Sequence, residues 1–119
     1  MFLKLNHQTM QVFKYSKEFA SECYRITKEF PQEERFNMIS QIRRASLSVV
    51  LNIAEGCSRK SEVERKRFFE ISRGSIVEID AAFDMADKLG YLKNVNCIFI
   101  SELINKTFSM LSKMLQAKK

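Results

Sequence analysis

The feature that most constrains this sequence is the recurrence of its apolar residues at steps of three and four along nearly the whole chain. The recurrence breaks where the single proline, Pro31, and two of the three glycines, Gly56 and Gly90, fall. Such a period marks one face of an α-helix, and no segment alternates as a strand would. Val12, Tyr15, Phe19, Cys23, Ile26 and Phe30 draw the first stripe, over about 8–30, which Pro31 ends. Proline suits the first turn of a following helix, and Glu33 and Glu34 then stand at that helix's positive end. Met38, Ile42, Ala45, Val49 and Ile53 draw the second stripe, over about 32–55, with Gly56 expected to close it through a positive φ. Ser61 and Glu64 form a capping-box pattern that opens a third helix over about 61–89. Its stripe is Phe68, Ile71, Ser75, Ile79, Ala82, Ala86 and Leu89, with Gly74 inside and Gly90 as the stop. A fourth helix, about 95–117, carries Ile100, Ile104, Phe108, Leu111 and Leu115 on one seam. Short joining loops force neighbouring helices to run antiparallel, so the expected fold is all-α, an up-down-up-down four-helix bundle.

The chain has 119 residues with one composition throughout, which implies a single domain over 1–119. At 45% hydrophobic and 29% charged residues it has enough apolar material for a core. Cys23, Cys57 and Cys97 are odd in number and widely spaced, with no CxxC pair. This argues against a disulfide framework or a zinc site and fits a reducing cytoplasm. The amino-terminal stretch is interrupted by Lys4 too early for a secretion signal, and the longest uncharged run, Ala45 to Ala54, is far too short to span a membrane.

Catalytic chemistry finds little to use. The one histidine, His7, sits in an expected frayed first turn, so no nucleophile-base pair or His-rich metal site can be nominated, and the scattered glycines form no phosphate loop. Asp80, Asp84 and Asp87 share a helix face with Glu78 nearby. Bundle di-metal sites, however, pair glutamate with histidine at i and i+3, which this chain lacks. The expectation is a protein without enzymatic activity, metal or cofactor.

Helix two is apolar beyond its core stripe, because Leu47, Val50, Leu51 and Ala54 lie off that line. A helix apolar nearly all round must be covered on more than one side, by its own bundle or by a second subunit, and a homo-oligomer interface is the favoured reading. Arg44, Ser48, Leu51 and Glu55 follow one another at helical spacing. Arg43 or Arg44 of one subunit is therefore expected to meet Glu55 of another, the alternative being an intrachain partner for Glu55 in Arg59 or Arg73. Asn52 is expected to tie helix two to a loop or to Ser75, and Gly74 to permit a close backbone approach.

At Gln41-Ile42-Arg43-Arg44-Ala45-Ser46-Leu47-Ser48-Val49 and Asn52-Ile53-Ala54-Glu55-Gly56 the sequence resembles the bacterial four-helix-bundle proteins encoded in 23S rRNA intervening sequences. Phe30-Pro31, Glu34, Phe68, Ile71, Gly74-Ser75-Ile76, Glu78 and Leu89-Gly90-Tyr91 are also similar to that family's pattern. Two positions depart from it: Asn37, where the family often has glycine, and Val50, where it often has proline. The resemblance implies a ring-shaped homopentamer and a distant kinship with the basic accessory protein that partners reverse transcriptase in diversity-generating retroelements. It implies no biochemical activity.

The net charge of +6 and pI near 9.4 favour polyanionic partners. Arg59, Lys60, Arg65, Lys66, Arg67 and Arg73 form the densest basic segment, diluted by Glu62, Glu64 and Glu70. Repeated around an oligomer, such a patch would bind RNA or DNA backbone, because affinity rises steeply with the number of phosphate contacts. Phe68 and Phe69 serve the core as well, which argues against base-specific readout. The leading expectation is a nucleic-acid-binding oligomeric module, or one that binds a nucleic-acid enzyme. The alternative is a structural or protein-interaction bundle whose basicity serves solubility alone.

Overall fold

In the computed structural model, which describes residues 3, 5 and 10–116, the chain forms four helices: α1 (Gln11–Thr27), α2 (Met38–Ser58), α3 (Glu62–Lys88) and α4 (Ile98–Gln116). A short 3₁₀ helix, Gln32–Glu34, lies between α1 and α2, and no strand occurs among the described residues. His7, and positions 8, 9 and 117 at the outer ends of the expected first and last helices, lie outside the described residues.

Cross-helix contacts establish the topology. Arg43 reaches Thr27 while Cys57 reaches Met10, so α1 and α2 are antiparallel. Gln41 bonds Glu78 and Gly56 abuts Phe69, which makes α2 and α3 antiparallel. Lys106 lies over Tyr15 while Arg25 reaches the Asn96 carbonyl, setting α4 against α1. The product is an all-α bundle in which α1 and α3 each pack on α2 and α4.

The core is drawn from all four helices: Phe19, Cys23 and Ile26; Ile42, Val49 and Ile53; Ile76, Ile79 and Ala86; Ile100, Leu103 and Leu111. Fully burying each large aliphatic or aromatic side chain contributes ~1.5–3 kcal/mol relative to exposure, so these stripes supply the main driving force. The stripe read for α3 is met at Ser75, Ile79 and Ala86, which are buried, and missed elsewhere. Ile71 and Leu89 are 44% and 46% exposed, and Phe69, Ser72, Ile76 and Phe83 point inward instead. A 27-residue helix with apolar groups on several sides does not reveal its seam by period alone, and the neighbours select it.

Helix ends depart from expectation where tertiary contacts intervene. α1 stops at Thr27, three residues before the expected end. Phe30 precedes proline and is disfavoured in helical geometry, and the chain turns through Glu29 N–H to Ile26 O and Phe30 N–H to Thr27 O. α2 begins at Met38 rather than near 32. There the Glu34 carboxylate accepts from Asn37 Nδ2 at 3.1 Å and from the Met38 amide at 3.4 Å. Asn37 has φ −125°, so its tolerance of left-handed geometry is not used. α2 also runs through Gly56 to Ser58, and Gly56 is therefore not a stop. A Cβ there would lie 2.7 Å from the Phe69 ring, so glycine is required by close approach of α3. At Gly74, where close approach was expected, a Cβ would meet nothing within 4 Å.

The ends of α3 follow the sequence signals. Ser61 Oγ accepts from the Glu64 amide at 3.0 Å. Gly90 takes φ +86°, with its N–H on Asp87 O and the Tyr91 N–H on Ala86 O, satisfying two terminal carbonyls. Tyr91 then packs on Phe30 and donates to Glu34 Oε2 at 2.8 Å, clamping the α3–α4 loop to the α1–α2 connection. Among the described residues no helix is long and apolar enough to cross a membrane.

Candidate nucleic-acid interface

The α2–α3 turn sits at one end of the bundle, together with the start of α1 and the end of α4. Ser58-Arg59-Lys60-Ser61 is short because α2 must reverse into α3 while Gly56 and Phe69 remain in contact. The reversal gathers Arg59, Lys60, Arg65, Lys66 and Arg67 at this end, with Lys14 on the first turn of α1 and Lys113 on the last of α4. The opposite end carries Glu29, Glu33, Glu34, Asp84 and Asp87 interleaved with Lys28, Arg35, Lys88 and Lys93. The excess of positive charge is therefore concentrated at the α2–α3 end.

Within the basic end the cations differ in what the chain already asks of them. Arg59 pairs with Glu55 at 2.5 Å, lies over the Phe68 ring at 4.9 Å, and has its Nε buried with no acceptor among the described residues. Arg65 donates to the Arg59 and Lys60 carbonyls at 2.9 and 2.7 Å, closing the turn. Lys66 pairs with Glu62 at 3.1 Å. Lys60 and Arg67 are exposed and direct no hydrogen bond or ion pair to the described residues. Arg73 stands apart from this group, on the α3–α4 seam. Its Nε donates to Ser112 Oγ at 2.8 Å and its guanidinium lies 4.2 Å above the Phe108 ring. No local spacing could have revealed that partner, because 39 residues separate Arg73 from Ser112.

The expected subunit-interface residues are also divided. Arg43 is held inside the chain, with Nε on Thr27 Oγ1 at 2.9 Å, a second bond to Tyr24 O at 3.3 Å, and its guanidinium over the Tyr24 ring. Glu55 takes the intrachain partner Arg59. Val50 and Ala54 are half-buried against the core, whereas Leu47 and Leu51 are 45% and 62% exposed, with Arg44 exposed beside them. The second apolar face of α2 thus resolves into a part packed against the core and a part exposed among the described residues.

Asn52 donates to Ser48 O at 2.8 Å and Ser48 Oγ at 3.0 Å, and Ser75 Oγ donates to Ser48 Oγ at 3.0 Å. The tie from Asn52 to Ser75 therefore runs through Ser48. One turn on, Ser72 Oγ donates to Val49 O at 2.8 Å, a second polar stitch between the same helices. The three cysteines are free thiols; burial raises Cys23 far above the ordinary thiol range and raises Cys57 and Cys97 by less. Among the described residues no three His, Cys, Asp or Glu side chains converge in a way that could hold a metal ion.

Residues 8–113 match the model of one protein family, described as 23S rRNA-intervening sequence protein. None of the curated proteins matches the chain.

Proposed function

The chain belongs to the 23S rRNA-intervening sequence protein family, and from that premise we propose that it works without catalysis, as a self-associating bundle that holds a nucleic-acid backbone on its basic end. The observation that carries this reading is the gathering of Arg59, Lys60, Arg65, Lys66 and Arg67 at one end, with Lys60 and Arg67 uncommitted. Phosphate contact needs charge and reach rather than a shaped pocket, and the few exposed cations of one protomer bind weakly alone. Copies joined through Leu47 and Leu51 would multiply them, five-fold in the pentamer that the family resemblance suggests. Phe68, the ring beside this turn, already stacks on Arg59, which supports backbone contact over base readout.

Reversing Lys60 and Arg67 together to glutamate tests the reading without touching Arg59 or Arg65, which hold the turn. Retention of a structured RNA at low salt is expected to fall, with a shallower dependence on salt. Unchanged retention rejects the patch. One observation favours a second reading, a protein-interaction bundle without a nucleic-acid role: Arg59, Arg65, Lys66 and Arg73 are all engaged within the chain. Under that reading the double reversal leaves RNA retention at the level of a neutral protein in both forms.

A further inference from the structure

We propose that the cavity between α3 and α4, away from the basic end, binds a cationic amphiphile: an organic ammonium ion carried on an apolar body. The cavity has a volume of about 350 Å³, within the ~300–1,000 Å³ range of small-molecule sites. Its floor is hydrocarbon, from Ile26, Ile76, Phe83, Ile100, Ile104 and Phe108. An apolar body entering it would release water from those surfaces, which is the main favourable contribution to binding.

The polar part of the lining decides the charge of the head group. It consists of Asp80, Ser101, Asn105 and Cys97, with no lysine or arginine. Asn105 donates one Nδ2 hydrogen to Ser101 O at 2.9 Å and retains its acceptor oxygen and a second N–H, so Asp80 is what sets the preferred charge. Asp80 offers acceptors and a full negative charge. A carboxylate ligand would meet Asp80 with no compensating cation, whereas an ammonium group finds a charge partner and acceptors together. Asp80, Phe83, Leu92 and Cys97 also line an adjoining depression whose rim adds Asp84 and Asp87. The negative field therefore extends past the mouth of the cavity.

None of the positive groups nearby belongs to the lining. The Arg25 guanidinium is bound to both oxygens of Glu22 and to the Asn96 carbonyl, the Arg73 guanidinium stacks on the Phe108 ring and donates to Ser112 Oγ, and Lys88 lines a neighbouring depression with Asp84 and Asp87. Arg67, the member of the basic cluster nearest to Asp80 along α3, lies ~20 Å before it on that helix, beyond the ~8 Å screening length at physiological ionic strength. A protein that is basic overall can therefore hold a cation at this place.

The test compares 4-phenylbutylammonium, 4-phenylbutanol and 4-phenylbutyrate, which share one apolar body, by titration against the full chain with backbone amide shifts recorded. The ammonium form is expected to bind about five-fold tighter than the alcohol, the scale of one partly exposed ion pair, and the carboxylate weakest. Shifts should centre on Ile76, Val77, Ile100 and Ile104. Asp80 is exposed, so D80N should fold normally and bring the ammonium form to the affinity of the alcohol. Val77, half-exposed at the rim, permits V77W, which should block all three probes while leaving the melting transition in place. Absence of saturable binding, equal affinity for the carboxylate, an ammonium preference that survives D80N, or shifts centred elsewhere would overturn the proposal. RNA retention is read on other residues, so this proposal and the preceding one fail independently.

Discussion

At Gly56 and Gly74 one residue type answers opposite physical demands. A Cβ at Gly56 would sit 2.7 and 3.0 Å from the Phe69 ring and 3.1 Å from Phe68 Cβ, and Phe69 is too buried to swing away. G56A is expected to destabilise the bundle by about 1–3 kcal/mol through overpacking. G74A should stabilise it by about 1 kcal/mol, because a helix-interior glycine is replaced by alanine in open space. Denaturant midpoints of the two variants should move in opposite directions, and a shared direction contradicts the packing described. Glu34 and Tyr91 yield a pH prediction. The Tyr91 hydroxyl, foremost, holds the Glu34 carboxyl below its ordinary 4.5, and the Glu34 carboxylate holds the phenol above its ordinary 10.0. Glu34 therefore contributes stability that is present above 4.5 and lost as pH falls through its lowered value. Tyr91 contributes stability that is present below 10.0 and lost as pH rises through its raised value. The stability gap between the native chain and Y91F should be full between those limits and narrow on both sides, as read by urea titrations at pH 3, 7 and 11. The requirement at Gly56 was hidden in the sequence, because nothing near it in the chain announces Phe69 as its neighbour.

Helix boundaries were legible where the signal is local. Ser61 with Glu64, and Leu89-Gly90-Tyr91, act within a few residues, and α3 starts and stops beside them. S61A is accordingly expected to cost about 1 kcal/mol in thermal unfolding, the usual loss of an N-cap. Boundaries were misread where long-range contacts outweigh local preference. α2 continues past Gly56 because the Phe69 contact makes glycine a packing residue, and it starts late because Glu34 caps Met38 while holding Tyr91. The same contrast explains the seam of α3. Its period was readable, but Ile71 and Phe69 compete for the inward position, and only α2, through Val49 O to Ser72 and Gly56 to Phe69, decides for the latter.

For the whole molecule, the open question of α2 becomes one of assembly. Leu47 and Leu51 are exposed, so L47E and L51E should change protomer stability by no more than about 0.5 kcal/mol. If copies join through this face, the double variant sediments at the mass of one protomer while the native chain does not; a native chain that remains a lone protomer at micromolar concentration removes that interface. The excess of positive charge at one end exists at this scale alone, since Lys14 of α1 and Lys113 of α4 join Arg65 and Arg67 of α3 only once the bundle forms. What the sequence determined by itself was the all-α class, the number of helices and most of the core of α1, α2 and α4, because a 3.6-residue period and terminal caps are written within a few residues of where they act. The tertiary structure alone decided which cations remain free, which glycine is indispensable, and that Asp80 meets an apolar cavity. Each of those depends on side chains from different helices arriving at one point, and the spacing along a single helix carries no information about its neighbours.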